Sequence, residues 1–112
     1  MKNYYNLFIK YSNQLCSKDD YINKQKVKIH NKAMKNLIQI QREITNDIKN
    51  GAVVLIKLLE HDNEKVRLNA AAQCLQIGIQ QEKAIEVLKK IENNSTDKLC
   101  QLDARMILKG IY

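Results

Sequence analysis

Apolar residues recur along much of this chain at spacings of three and four, the pattern of helices that bury one face. In residues 3–16 the stripe is Tyr4, Leu7, Phe8, Tyr11 and Leu15, which predicts a first helix. The polar run Ser17, Lys18, Asp19 and Asp20 interrupts it. Asp19 or Asp20 is suited to cap a second helix by accepting a hydrogen bond from a free backbone N–H. That second helix is expected to reach about residue 49 on the stripe Ile29/His30, Ala33/Met34, Leu37/Ile38, Gln41, Ile44 and Ile48. Asn50 and Gly51 are the expected stop, since glycine tolerates the left-handed turn that closes a helix.

Beyond Gly51 the elements shorten. Residues 52–59 predict a short apolar helix, and residues 61–64 a turn in which Asp62 caps the next helix. Residues 66–77 form that helix, with Val66, Ala70, Ala71, Cys74 and Leu75 inward and Gly78 closing it. Residues 82–91 repeat the first short helix, residues 92–97 the polar turn, and residues 99–108 the second helix before Gly110. The similarity is internal: Leu59-Glu60 returns 32 residues later as Ile91-Glu92. Val66, Ala71 and Leu75 return 33 residues later as Leu99, Ala104 and Leu108. A repeat of this length made of two helices is an α-solenoid unit, whose apolar face is covered by its neighbour.

The run LLEHDNEKVRLNAAAQCL, residues 58–75, resembles the HEAT-repeat signature: two leucines, an Asp-containing turn, Val-Arg, then an alanine pair. That resemblance implies that Ala70 and Ala71 let two helices approach closely. It also implies that Arg67 bonds to the turn of an adjoining repeat. Residues 26–112, through HNKAMKNL, AIEVLKKI and LDARMILKG, look like a family of short bacterial HEAT-like proteins of unknown function. Small proteins of this type are similar to the immunity partners of bacterial polymorphic toxins, including contact-dependent inhibition systems. The expected fold is all-α: a short right-handed HEAT/ARM-like α-solenoid of about five helices. It forms a single domain over residues 1–112, with a basic helical hairpin in 1–50 and two HEAT-like hairpins in 51–112.

Composition supports helix. There is no proline among 112 residues and only 3 glycines, and straight-chain residues lose little freedom in a helix. The net charge of +7 is lopsided: residues 1–50 carry ten Lys/Arg against four Asp/Glu, residues 51–112 nine against eight. A basic half attracts nucleic acid, anionic lipid or acidic protein; the abundance of Lys, Asn, Ile and Tyr also fits the codon bias of an AT-rich genome. Cys16, Cys74 and Cys100 are odd in number and widely spaced, so neither a disulfide framework nor a metal motif is expected. A reducing cytoplasm is the expected location. No signal-like apolar stretch is evident, and the longest apolar run, residues 52–56, is far below the ~20 residues of a membrane span. A soluble protein without membrane attachment is expected.

No catalytic set emerges. His30 and His61 have no second ligand at helical spacing, and no HExxH, phosphate-binding glycine loop or GxSxG motif is present. The carboxylate pairs Asp19/Asp20 and Glu82/Glu86 occupy capping or exposed positions rather than the burial that tunes an acid–base group. The expectation is a protein that is not an enzyme, with no cofactor and no metal.

Two surfaces remain as candidates. Lys24, Lys28, Lys32 and Lys35 fall on one helix face. If all four met phosphates, duplex affinity would scale with salt to a power of about −3.6, losing ~150-fold between 50 and 200 mM. The same stripe also reads as an ordinary solvated face, because aromatic platforms are scarce. HEAT-like DNA glycosylases share such helical stacking, but fold analogy alone says little about activity. The other surface is the polar face of the later helices: Arg67, Asn69, Gln73 and Gln76, then Gln101 and Arg105. Gln, Asn and Arg suit a protein interface, and the same residues also fit an ordinary solvent face. The leading expectation is therefore a protein-binding module, an immunity protein that neutralises a cognate toxin; the alternative is nucleic-acid binding through the basic helix face.

Overall fold

A computed structural model describes residues 3–15 and 24–110. Six helices are present among them, rather than about five, and no strand. They are α1 (Tyr4–Asn13), α2 (Lys24–Asn46), α3 (Ile48–Leu58), α4 (Glu64–Ile77), α5 (Gln81–Asn94) and α6 (Lys98–Leu108). Cys16 and the proposed caps Asp19 and Asp20 lie outside the described residues. The chain divides into two compact units, Met1–Val54 and Leu55–Tyr112, with the division falling within α3.

In the first unit α1 packs on α2. Asn3 caps α1, its Oδ1 accepting from the Asn6 N–H at 3.1 Å. Phe8 and Ser12 are buried on α1, and Tyr4, Leu7, Tyr11 and Leu15 are half-buried beside them. The core edge of α2 is Ala33, Leu37, Ile40 and Ile44, at i, i+4, i+7 and i+11. Ile40 was not part of the expected stripe, whereas Ile29, Ile38 and Ile48 from that stripe are exposed. Any one of these isoleucines fits a three-and-four pattern; only packing selects which row turns inward.

Asn50 and Gly51 do not end a helix. The break comes earlier, at Asp47, and Gly51 lies inside α3. A Cβ at Gly51 would stand 2.5 Å from the Ile44 carbonyl oxygen. Residues seven apart in a straight helix are separated by about 10.5 Å, so the chain bends between α2 and α3 and brings Gly51 onto the preceding helix. Here glycine serves a close backbone approach, not a left-handed cap.

In the second unit α4 packs on α5, α5 on α6, and α4 also touches α6. Leu55, Leu58 and Leu59 at the end of α3 are buried. On α4 burial extends around much of the circumference: Val66, Leu68, Ala70, Ala71, Ala72, Gln73 and Cys74. Three consecutive alanines give this central helix a thin profile against its neighbours. Leu75, expected inward, is only half-buried. The cap of α4 is Asn63 rather than Asp62, its Oδ1 accepting from Lys65 N–H at 2.9 Å and Val66 N–H at 3.3 Å. Asp97 does the same for α6, accepting from Leu99 N–H at 2.9 Å and Cys100 N–H at 3.3 Å. Gly78 closes α4 at φ 76°, as its position implies.

Buried positions of α3 and α4 recur in α5 and α6 with a register one residue longer than the sequence likeness. The caps Asn63 and Asp97 are 34 positions apart. Val66, Ala70 and Gln73 then match Cys100, Ala104 and Ile107, and all six are buried. In the preceding helices Leu55 and Leu58 match Leu88 and Ile91, again all buried. The 32- and 33-residue spacings follow residue likeness, but equivalent burial follows the caps.

Candidate functional site

Side-chain chemistry in the second unit is concentrated at its turns. Arg67 sends Nη1 to the carbonyl oxygens of His61, at 2.8 Å, and Asp62, at 2.7 Å. It therefore closes the turn that precedes its own helix. His61 is half-buried, and its Nδ1 accepts from the Asn63 N–H at 3.0 Å. Ser95 in the α5–α6 turn donates to the Glu64 carboxylate at 2.7 Å, tying that turn to the first turn of α4. Glu60 pairs with Lys83 of α5, whose ammonium holds the Glu60 carboxyl below its ordinary range.

These bonds alter the expected polar recognition face. Gln73, expected in solvent, is 2% exposed and belongs to the core, because α4 is enclosed on more sides than a one-sided helix. Arg67, Asn69 and Gln101 are half-buried. Gln76 and Arg105 are exposed, and Arg105 lies 3.9 Å from the Glu92 carboxylate. The six residues thus do not converge on one open patch. Exposed Leu102, which sequence reasoning did not single out, lies on α6 between Gln101 and Arg105.

The basic stripe is brought together. Lys24, Lys28, Lys32 and Lys35 are all exposed on α2, and among the described residues none of them is ion-paired. Arg42, exposed farther along, shares the face. At 100° per residue these five cations point about 160° away from the buried row. No Asp or Glu occurs in residues 24–42. Arg42 was legible in the sequence as the continuation of Lys24, Lys28 and Lys35 at i+18; a window confined to the lysine run omits it.

Other reactive groups are enclosed or dispersed. Burial pushes the Cys74 thiol up to about 11. It pushes Cys100 up to about 12, with the carboxylates of Asp97 and Glu64 adding to the effect. Both thiols stay protonated at neutral pH and are poor nucleophiles. Asp103 is raised by partial burial and by Asp97. Among the described residues no group of three or more His, Cys, Asp or Glu side chains is placed to hold a metal ion. A shallow depression on α5, lined by Glu82, Ile85, Glu86, Lys89 and Lys90, draws on one helix only. No helix among the described residues is long and apolar enough to cross a membrane.

The class defined by these features is a small protein, helical throughout its described residues, with one helix face that carries only cations. Residues 2–111 match the family described as a domain of unknown function, DUF2019, and the chain belongs to that family. No curated protein and no solved structure matches it.

Proposed function

We propose that this DUF2019 chain is a non-enzymatic, cytoplasmic protein-binding module whose second unit is a short right-handed HEAT/ARM-like stack. Its role in this reading is that of an immunity protein, neutralising a cognate bacterial toxin by direct contact. The observation that carries it is the matched burial of Leu55, Leu58, Val66, Ala70 and Gln73 with Leu88, Ile91, Cys100, Ala104 and Ile107. Equivalent positions buried in successive helix pairs are what a stacked repeat requires. Such stacks recognise partners through broad surfaces rather than deep pockets. The buried, protonated thiols of Cys74 and Cys100 agree with a reducing compartment.

A stable inhibitory complex buries about 800 Å² on each partner, from roughly 20–30 residues. Gln76, Leu102 and Arg105 are the exposed residues of α4 and α6 best suited to that contact; Gln73 is excluded by burial and Arg67 serves its own turn. The test is co-purification of the chain with the product of the adjacent gene. A stable complex weakened by Leu102→Asp supports the reading, and absence of binding to any neighbouring gene product removes it.

A second reading is favoured by a different observation. All four lysines of the stripe are exposed on one helix, and among the described residues none has an ion-pair partner, which suits nucleic-acid binding through that face.

A further inference from the structure

We infer that the outward face of α2 binds the phosphate backbone of a nucleic-acid duplex without reading its bases. This rests on the nucleic-acid reading above and extends its contact set beyond the lysine stripe. Lys24, Lys28, Lys32, Lys35 and Arg42 lie along 18 helical steps, about 27 Å at 1.5 Å each. A single helix holds them, so their spacing does not depend on a loop or on a second element. Asn31 and Gln39 are exposed between them on the same face. Lys, Arg, Asn and Gln are the side chains that commonly bond phosphate oxygens.

The composition of the face selects among anionic partners. α2 contains no Phe, Tyr or Trp, so it offers no platform on which unpaired bases stack. Protein interfaces are depleted of Lys and enriched in aromatic residues at their cores, the reverse of this face. A basic helix that lies on a lipid surface inserts an apolar face. On α2 that face is Ala33, Leu37, Ile40 and Ile44, already buried within the first unit, and the exposed Ile29 and Ile38 lie on opposite flanks of the cationic row rather than forming one stripe. What remains is a rigid, one-signed row with amide donors, complementary to a regular line of phosphates. Sequence independence follows, because phosphate contacts fix position and carry no base information.

The test is fluorescence anisotropy of the full chain with labelled 20-base-pair DNA duplexes of two unrelated sequences, titrated between 50 and 200 mM salt. Both duplexes are expected to bind equally. Five phosphate contacts predict a log–log slope of about −4.5, a ~500-fold loss over that range. The triple variant K28Q/K35Q/R42Q should reduce the slope to about −1.8, and R42Q alone should reduce its magnitude by about 0.9. Neutralising Lys57, Lys89 and Lys98 in the second unit should leave the slope unchanged. These substitutions are at exposed positions, and circular dichroism checks that the helices persist. A steep slope that survives the triple variant overturns this face while leaving nucleic-acid binding intact. If K28Q acts and R42Q does not, the extended contact set is wrong and the shorter lysine stripe stands. Absence of duplex binding at 50 mM salt, including binding found only to phosphatidylserine vesicles or to an acidic protein, overturns both.

Discussion

In the first unit a 23-residue helix, α2, buries four side chains along one edge; in the second a 14-residue helix, α4, buries seven around much of its girth. The longer helix keeps a wide solvent face and fills it with cations. The shorter one is central and has little surface to spare, so even Gln73 is enclosed. Charge follows the same division: the first unit holds ten Lys/Arg against four Asp/Glu, and the second nine against eight. Asn63, Asp97, Arg67 and the Ser95–Glu64 bond fasten the turns of the second unit. The difference teaches that a helix flanked by two neighbours, as α4 is by α5 and α6, keeps little outer surface, whereas α2 leaves a whole face open to carry charge.

Five substitutions sharpen or break this contrast, read by urea denaturation followed by circular dichroism. The largest effect is expected from Leu88→Ala, which empties a fully buried site in the second unit and should cost about 3 kcal/mol. A loss below about 1 kcal/mol would mean that α5 is not integral to that core. Gly51→Ala should follow, at about 2 kcal/mol. Its Cβ meets backbone oxygen rather than a movable side-chain tip, and overpacking of this kind costs about 1–3 kcal/mol. A neutral result would remove the close approach as the reason for glycine.

Caps come next. Asn63→Ala and Asp97→Ala should each cost about 1 kcal/mol, and similar losses would support their equivalence in the repeat. A large loss at one and none at the other would break it. Smallest is Asp103→Asn. Partial burial and Asp97 raise the Asp103 carboxyl above its ordinary value, so folding holds its proton more tightly than the unfolded chain does. Its ionisation therefore erodes stability as pH rises through the interval from the unfolded to the folded value. The variant should gain about 0.5 kcal/mol or less at neutral pH, since solvent screens the site, and the gain should vanish below the unfolded carboxyl's pKa of about 3.9. A gain that persists in acid would assign the effect to packing instead.

Much of the second unit was legible because its signals are local. Gly78 after an apolar run, polar residues before Val66 and Leu99, and Ala70–Ala72 between them each act within a turn of helix. The cap itself moved from Asp62 to Asn63, a choice between adjacent residues with similar side chains. The repeat spacing was off by one because residue likeness and helix phase are separate quantities. Gly51 was read as a stop because glycine tolerates the left-handed turn that closes a helix, yet its role is set by Ile44 on another helix. The four lysines were legible from spacing alone, since a face is a property of one helix; Arg42 required following that face to its end.

By itself the sequence determined the helical character, the approximate elements, the cysteine and histidine inventory and the unequal charge of the two halves. Those properties depend on residue type and on spacing within a single helix. Tertiary structure alone decided which isoleucines of α2 turn inward, that Gln73 joins the core, that Arg67 serves its own turn and that Gly51 sits against Ile44. Each of these depends on what lies opposite a side chain, and a partner across a turn or on another helix leaves no periodicity within one helix to read.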